Sequence, residues 1–403
     1  MHVGVLGGGL QGCCTAIALA ARGARVTLFD RHDALMTRAA VINEGKIHLG
    51  YMYGGDPSMA TARTMMTGAL DFAPFLARHL DIAPEQIQLS APAHYVVHRQ
   101  SQQSVEATTS YLSAVHDLLL EAAADRPRDY FGLALRPPRA LPSAELKTLF
   151  DPAICLAAFA TPEVAINPVA LATAVRDRIN ADPAIEVRLR RVVESVESTG
   201  AALTVRSDGP GGRTGERYDH VVNALWDGRL AIDATLGFTA ARPWLHRFKC
   251  GVRLRVSKDI PSLSATIVLG PFGEVVNYRD GTLFLTWYPA CLLDRSDRLT
   301  PPDWPTYPTG QLRSKIIDGT VRGLAGICPF LHDVTSEDIN GASVAGGVIV
   351  AWGETDIDDP QSELHQRFAI GVTSRERYHS VDPGKLTMIP HFAELCASRI
   401  IPS

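Results

Sequence analysis

No apolar run approaches the roughly 18 residues needed to cross a bilayer, so no membrane span is expected. Basic surplus is also missing. The net charge of −4 argues against a general nucleic-acid binder. The seven cysteines, Cys13, Cys14, Cys155, Cys250, Cys291, Cys328 and Cys396, form no C-x-x-C pair. That spacing leaves no zinc or iron–sulfur site. An odd count without a secretory signal suggests buried thiols. A strand-like run begins at Val3, too early for a signal peptide ahead of it. The cytoplasm is therefore the expected location. Repeats and low-complexity tracts are absent. A calcium loop is absent as well, because Asp356-Ile357-Asp358-Asp359-Pro360 lacks the glycine and distal glutamate of one. It reads as a helix-capping loop with Ser362 or Asp359 as the cap, and no metal site is expected.

What remains is a chain of 403 residues, 46% hydrophobic and 20% charged, enough for two domains with sizeable cores. Val3 to Leu6 reads as a strand, Cys13 to Arg22 as a helix ended by Gly23, and Ala24 to Phe29 as a second strand. Between strand and helix lies Gly7-Gly8-Gly9-Leu10-Gln11-Gly12. Gly7 permits the tight turn, Gly9 lets the backbone approach a diphosphate, and Gly12 lets helix and strand pack closely. A helix N-terminus offers free N–H groups and a positive dipole end to those two negative charges. Asp30 closes the second strand, where its carboxylate can accept from ribose hydroxyls; Arg31 follows it. A nucleotide-binding unit is the reading. An NAD dehydrogenase would continue with a second βαβ unit at short spacing. This chain leaves the pattern after Asp30, and nucleotide-like segments return only near 185 and near 350, which favours FAD.

Further along, the spacing predicts helices over Ser58–Leu80, Ser104–Ala124, 166–180, 311–327 and 387–399. Strands are expected at Tyr95–Val97, Ile185–Val196, Ala202–Ser207 and His220–Ala224. The turn Ser198-Thr199-Gly200 joins two of these. From Cys250 to Tyr288 the pattern is β-rich, and Val344 to Trp352 is strand-like.

Four patches resemble the D-amino-acid oxidase superfamily of FAD enzymes, which includes glycine oxidase, L-2-hydroxyglutarate dehydrogenase and FAD-linked glycerol-3-phosphate dehydrogenase. The first is the glycine turn through Asp30. The second, Asn43-Glu44-Gly45-Lys46-Ile47-His48-Leu49-Gly50-Tyr51-Met52-Tyr53, is similar to the segment that runs beneath the flavin. In the third, a strand ending at Val193 resembles the one meeting the adenine, and Val221-Val222-Asn223-Ala224 resembles the strand returning to the cofactor. The family often has Ala-x-Gly there, whereas Leu225-Trp226-Asp227-Gly228 stands here. The fourth, Gly384-Lys385-Leu386-Thr387, is similar to the turn opening the C-terminal helix, whose N–H groups would stabilise charge at flavin N1 and C2=O.

The resemblance implies an α/β fold: a Rossmann-type FAD-binding domain (1–90, 150–240 and 340–403) under a mixed β-sheet cap (91–149 and 241–339). A small-molecule substrate would bind between them with its C–H aimed at flavin N5. His48 is the sharpest catalytic candidate. It could be the base for a hydroxyl proton, a covalent flavin tether as in dimethylglycine-dehydrogenase-like relatives, or a histidine bonded to the loop backbone. Arg253, Arg255, Arg279 and Arg377 could clamp a carboxylate, with Tyr288 and Tyr378 beside them; each could equally lie at the surface or in the core. A CH–OH substrate carrying a carboxylate or phosphate is favoured over a CH–NH substrate. Turnover-free flavoproteins and flavin monooxygenases stay open, though no second glycine fingerprint is present for NAD(P)H. The electron acceptor is oxygen or another oxidant.

Overall fold

The structure, a computed structural model, describes residues 1–198 and 200–402; Thr199, in the turn expected at 198–200, lies outside them. The first sheet is built around β1 (His2–Leu6), every residue of which but His2 is buried. To one side lie β2 (Arg25–Phe29) and β8 (Ile185–Arg188). To the other lie β12 (His220–Asn223), β20 (Tyr378–Asp382) and β19 (Gly371–Arg375). All neighbours run parallel except β19, which pairs antiparallel with β20. Parallel strands buried on both faces read as continuous apolar runs rather than alternating ones. Val3 to Leu6 has that pattern.

The helix α1 (Leu10–Ala21) crosses from β1 to β2. Its small residues let it sit deep, with Leu10 to Leu19 all buried. A Cβ at Gly12 would lie 1.9 Å from the Gly7 carbonyl oxygen, so only glycine allows helix and turn to close up. The helices α2 (Ala60–Leu80), α3 (Val105–Ala122), α5 (Pro168–Ala181) and α10 (Ile389–Ile400) complete this core. Asn167 caps α5, its Oδ1 accepting from Val169 N, and Pro168 fills the first position, where a missing N–H costs little.

The second sheet has nine strands and is mixed. Its order is β17 (Leu292–Ser296), β13 (Trp244–Arg255), β16 (Thr282–Trp287), β15 (Gly273–Asn277), β14 (Ser264–Val268), β4 (Ala93–His98), β6 (Cys155–Ala160) and β5 (Arg139–Ala140). The ninth, β18 (Ser343–Trp352), pairs antiparallel with β13 from Trp244 to Arg253. The helix α8 (Gly310–Ala325) packs on this sheet, and α4 (Ser143–Leu149), α6 (Arg229–Thr235), α7 (Tyr288–Cys291) and α9 (Ser336–Gly341) are short. Two small sheets remain: β9 (Val192–Ser198) with β10 (Leu203–Asp208) and β11 (Thr214–Tyr218), and β3 (Lys46–Ile47) with β7 (Val164–Ala165).

Several expectations need correction. The strand expected over 185–196 is two strands, broken where Arg190 takes φ 55°. The segment near 350 does not return to the nucleotide sheet. As β18 it joins the second sheet, and the true return is β19–β20. Likewise β6 belongs to the second sheet, although a boundary at 150 placed it in the first domain. The helix α3, expected in the cap, buries Leu112, Val115 and Leu119 in a core that takes in residues of both sheets. The C-terminal helix starts later than Thr387: a 3₁₀ turn over Leu386–Met388 precedes α10.

Candidate active site between the two sheets

A cavity of about 630 Å³ runs from the glycine turn to the face of the nine-stranded sheet. Gly7, Gly9, Leu10 and Gln11 line one end, with Asp30, Arg31, Val193, Ala224 and Gly228 around them. Asn43, Glu44, Lys46 and His48 line the middle, as do Gly384, Lys385 and Leu386. Tyr288 lies at the far end. Five of the residues expected to hold the cofactor or carry catalysis stay outside the lining, as do the further clamp candidates Arg255, Arg279, Arg377 and Tyr378. Gly12 and Gly45 serve packing: a Cβ at Gly45 would lie 1.8 Å from the Ile166 carbonyl. Asn223 spends its amide on Arg229, Asp233 and Tyr378. Thr387 pins the second patch to the C-terminal turn: its hydroxyl accepts from His48 N (2.9 Å) and donates to Lys46 O (3.2 Å).

Arg253 is the fifth. It is on the expected face of β13, but too far along it. Residues 247, 249, 251 and 253 share one face, yet at roughly 3.3 Å per residue Arg253 falls beyond the cavity and lies over the Tyr278 ring, 5.9 Å from its centroid. Arg255, Arg279 and Arg377 are exposed, and the Tyr378 hydroxyl is bonded to Asp233. The basic groups that do line this end are Arg247, Lys249 and Arg367. Alternation of basic residues at 247 and 249 would have found the first two, had the strand been started at Trp244 instead of near Gly251. Arg367 comes from a segment with no periodic pattern. In the loop suspected of capping, Ser362 Oγ accepts from Leu364 N (3.2 Å), and Asp356 is buried against Arg247 at 2.7 Å.

Whether these residues fit FAD is tested at the turn. Gly9 precedes α1 with ordinary backbone angles (φ −73°), and a Cβ there would meet nothing within 4 Å, so a methyl would project into free space. No side chain caps α1, and no acidic residue stands in its first turn. The first amides therefore remain for an anion. Asp30 takes Gly8 N (2.9 Å) and His32 N (2.7 Å); its pKa is raised by burial, against the pull of those N–H groups. The buried Gln11 Oε1 has no partner among the described residues, leaving an acceptor for a cofactor hydroxyl. The donor set suits a dinucleotide.

His48 is buried, and its place follows from the short pairing of β3 with β7. Ile47 opposes Val164, which brings the next residues, His48 and Glu163, side by side. His48 Nδ1 is 3.1 Å from Glu163 Oε1. The same carboxylate accepts from Leu49 N (2.7 Å) and from the Tyr95 hydroxyl. Burial works against its charge, but His48, Lys46 and Tyr95 outweigh that and hold Glu163 below the usual glutamate range. With Nδ1 so engaged, Nε2 is the acceptor nitrogen. It has no partner among the described residues, and the ring lines the cavity. Glu163 carries no signal in the sequence, standing 115 residues from His48. Beyond it, Lys46 Nζ pairs with Glu274 and Thr266. Burial opposes ionisation of Glu274, and Lys46 and Lys249 hold it well below its usual value. Lys249 Nζ lies 4.3 Å from the Tyr288 ring centroid. Burial raises the Tyr288 hydroxyl, but Lys249, Arg247 and Lys385 bring it below its usual value.

The chain resembles known proteins in three ways. A segment is 30% identical over 166 residues to the tRNA 5-methylaminomethyl-2-thiouridine biosynthesis bifunctional protein MnmC of Pseudomonas aeruginosa, covering 40% of this chain and only 24% of that one. The whole chain superposes on glycine oxidase from Geobacillus kaustophilus with a TM-score of 0.67 at 15% identity, over 99% of this chain and 94% of the other. L-alpha-glycerophosphate oxidase from Mycoplasma pneumoniae, solved with FAD bound, gives 0.64 at 16% identity, over 100% and 94%. At such identities these two likenesses are of fold. The family model of FAD-dependent oxidoreductases matches residues 2–280, which is more than half of the chain. It starts at β1 and takes in the turn, Asp30, His48 and β13, and by it the chain belongs to the FAD-dependent oxidoreductases of the D-amino-acid oxidase superfamily.

Proposed function

We propose that this FAD enzyme oxidises a small carboxylate- or phosphate-bearing substrate at a CH–OH carbon. The observation that carries the reading is the His48–Glu163 pair, a buried base held in one tautomer. An alcohol must lose its hydroxyl proton as hydride leaves the carbon, and a base near neutrality serves that step. His48 Nε2 receives the proton. Glu163 stabilises the imidazolium and fixes the ring. Lys249 and Arg367 orient the anionic end of the substrate against the sheet face. Gly7, Gly9, Leu10, Gln11, Asp30, Arg31, Asn43, Glu44, Val193, Ala224 and Gly228 are the residues assigned to the cofactor, with Lys385 and Leu386 at its flavin end. FAD, when bound, supplies the acceptor for the hydride.

A CH–NH substrate is the second reading, because the same cations would hold an amino acid's carboxylate. Anaerobic addition of hydroxy-acid and amino-acid panels to the yellow holoprotein separates them. Loss of flavin absorbance with hydroxy acids only, lost again in His48→Gln, is the expected result. Bleaching by amines alone overturns the alcohol reading. Peroxide formation or dye reduction then identifies the acceptor. Among the described residues no helix is long and apolar enough to cross a membrane. The seven cysteines are all buried and unpaired, which supports the proposal of a reducing, cytoplasmic setting.

A further inference from the structure

Arg247, Lys249 and Arg367 line the end of the cavity facing the nine-stranded sheet, beyond Lys46 and Lys385 in its middle. Lys46 is paired with Glu274, and Arg247 with Asp356, which Arg295 shares at 2.8 Å. At this end Lys249 and Arg367 are left without a carboxylate in ion-pair range among the described residues.

Arg367 shows where the imbalance is sharpest. It is only 8% exposed. Its Nε donates to the Leu364 carbonyl (2.9 Å), while its Nη atoms have no hydrogen-bond or carboxylate partner among the described residues. Burial and then the neighbouring Arg247 pull its pKa down to about 10. Two guanidinium groups therefore crowd one chamber whose single dedicated carboxylate, Asp356, is already spent. Lys249 likewise has no carboxylate in ion-pair range among the described residues; its ammonium rests on the Tyr288 ring. A charge held out of water without a close counter-ion is unfavourable, so a fold keeps such groups where a ligand brings the missing charge.

Resting on the reading of this site as an oxidase or dehydrogenase of an anionic substrate, we infer that the substrate is a small organic dianion, with Arg367 meeting one negative charge and Lys249 the other. A monoanion would leave one of these cations uncompensated. A neutral alcohol would leave both. The planar fork of Arg367 suits a carboxylate or phosphate in bidentate contact, and the compact ammonium of Lys249 suits a point contact.

The test is binding, read by perturbation of the flavin spectrum of purified holoprotein, and needs no turnover. Acetate and propionate provide the monoanions, malonate, succinate and glutarate the dicarboxylates, and inorganic phosphate at alkaline pH the phosphate dianion. At least one class of dianion is expected to bind about tenfold or more tighter than the matched monoanions, and that class tells a dicarboxylate from a phosphate ester. Arg367→Met and Lys249→Met should each abolish that preference, bringing dianion binding down to the level of the matched monoanions. Arg367→Lys and Lys249→Arg should restore part of it. Equal binding of monoanions and dianions by the wild type overturns the inference, as does a preference that survives both methionine substitutions. Should Arg367→Met not fold, the wild-type series and Lys249→Met decide. A dianion preference without oxidation of any hydroxy acid would sink the alcohol reading and spare this one. Oxidation of hydroxy monoacids without the preference would do the reverse.

Discussion

One methyl group separates the roles of two glycines in the first turn. At Gly12 a Cβ would lie 1.9 Å from a backbone oxygen, whereas at Gly9 it would meet nothing within 4 Å, and the Gly9 backbone already suits any residue. Gly12→Ala should therefore lower stability by about 1–3 kcal/mol or more whether or not FAD is present. Gly9→Ala should leave the melting of FAD-stripped protein unchanged and weaken FAD binding by about tenfold or more. Thermal melts beside flavin titrations check both, and a Gly9→Ala protein that binds FAD normally refutes the assignment of that amide to the diphosphate. Glu163→Gln tests the pair at the base. Removing the carboxylate takes away what favours the imidazolium, so the acid limb of kcat/KM should move to lower pH while kcat falls by about 10²-fold. A merely structural Glu163 would lower kcat without moving the limb. His48 could be read from the sequence because its neighbours form a patch. Glu163 could not, because only strand pairing across 115 residues brings it there.

At the scale of elements, local signals served well where a segment makes its own structure. The N-caps of α3 and α5, Ser104 and Asn167, bond their own first turns, so both helices were legible to within a residue or two. Strand partners were not. Ser343 to Trp352 reads as an apolar strand in either sheet, and only its register with β13 decides which. The segment after β12 shows the same limit. Leu225-Trp226-Asp227-Gly228 departs from the family pattern, and what it does becomes visible only in space. Trp226 takes φ 55°, and its Nε1 donates to the Val348 carbonyl of β18 at 2.7 Å. Asp227 stands 3.6 Å from Arg31 and 3.5 Å from Arg38. Trp226, Asp227, Arg31, Arg38 and Val348 all line the cavity, so the segment straps the loop after β2 to the second sheet across the cofactor end. Trp226→Phe keeps the ring and loses the bond, which is worth about 0.5–1.5 kcal/mol. FAD release, followed by recovery of free-flavin fluorescence, should then quicken by up to about tenfold with the melting of FAD-stripped protein little changed. Release at the wild-type rate would show that the strap does not hold the cofactor.

Across the whole molecule, one apolar core takes in Val5 and Leu28 of the first sheet and Tyr95, Val97 and Phe159 of the second, and buried polar pairs around the cavity add to it. The Lys46–Glu274 pair joins residues 228 positions apart. Both side chains are nearly inaccessible, at 2% and 9% exposure. A buried pair is costly to break on one side, because the survivor stays charged without a partner, yet replacing both members can be nearly neutral. Glu274→Gln should thus destabilise the holoprotein by about 3–5 kcal/mol in denaturant unfolding. The double replacement Lys46→Met with Glu274→Leu should recover most of that loss. Acidity should act in the same place. The folded pKa values of Glu163 and Glu274 lie below the unfolded value of about 4.3. Their stabilisation is therefore fully present above that pH and drains away as pH falls through the folded values. Wild-type holoprotein should lose stability progressively below about pH 4.5, and the double replacement should lose less over the same range. A wild type whose unfolding midpoint is flat from about pH 4.5 to about pH 2, the window between the unfolded value and the folded value of Glu274, would mean that the buried pairs contribute little to stability.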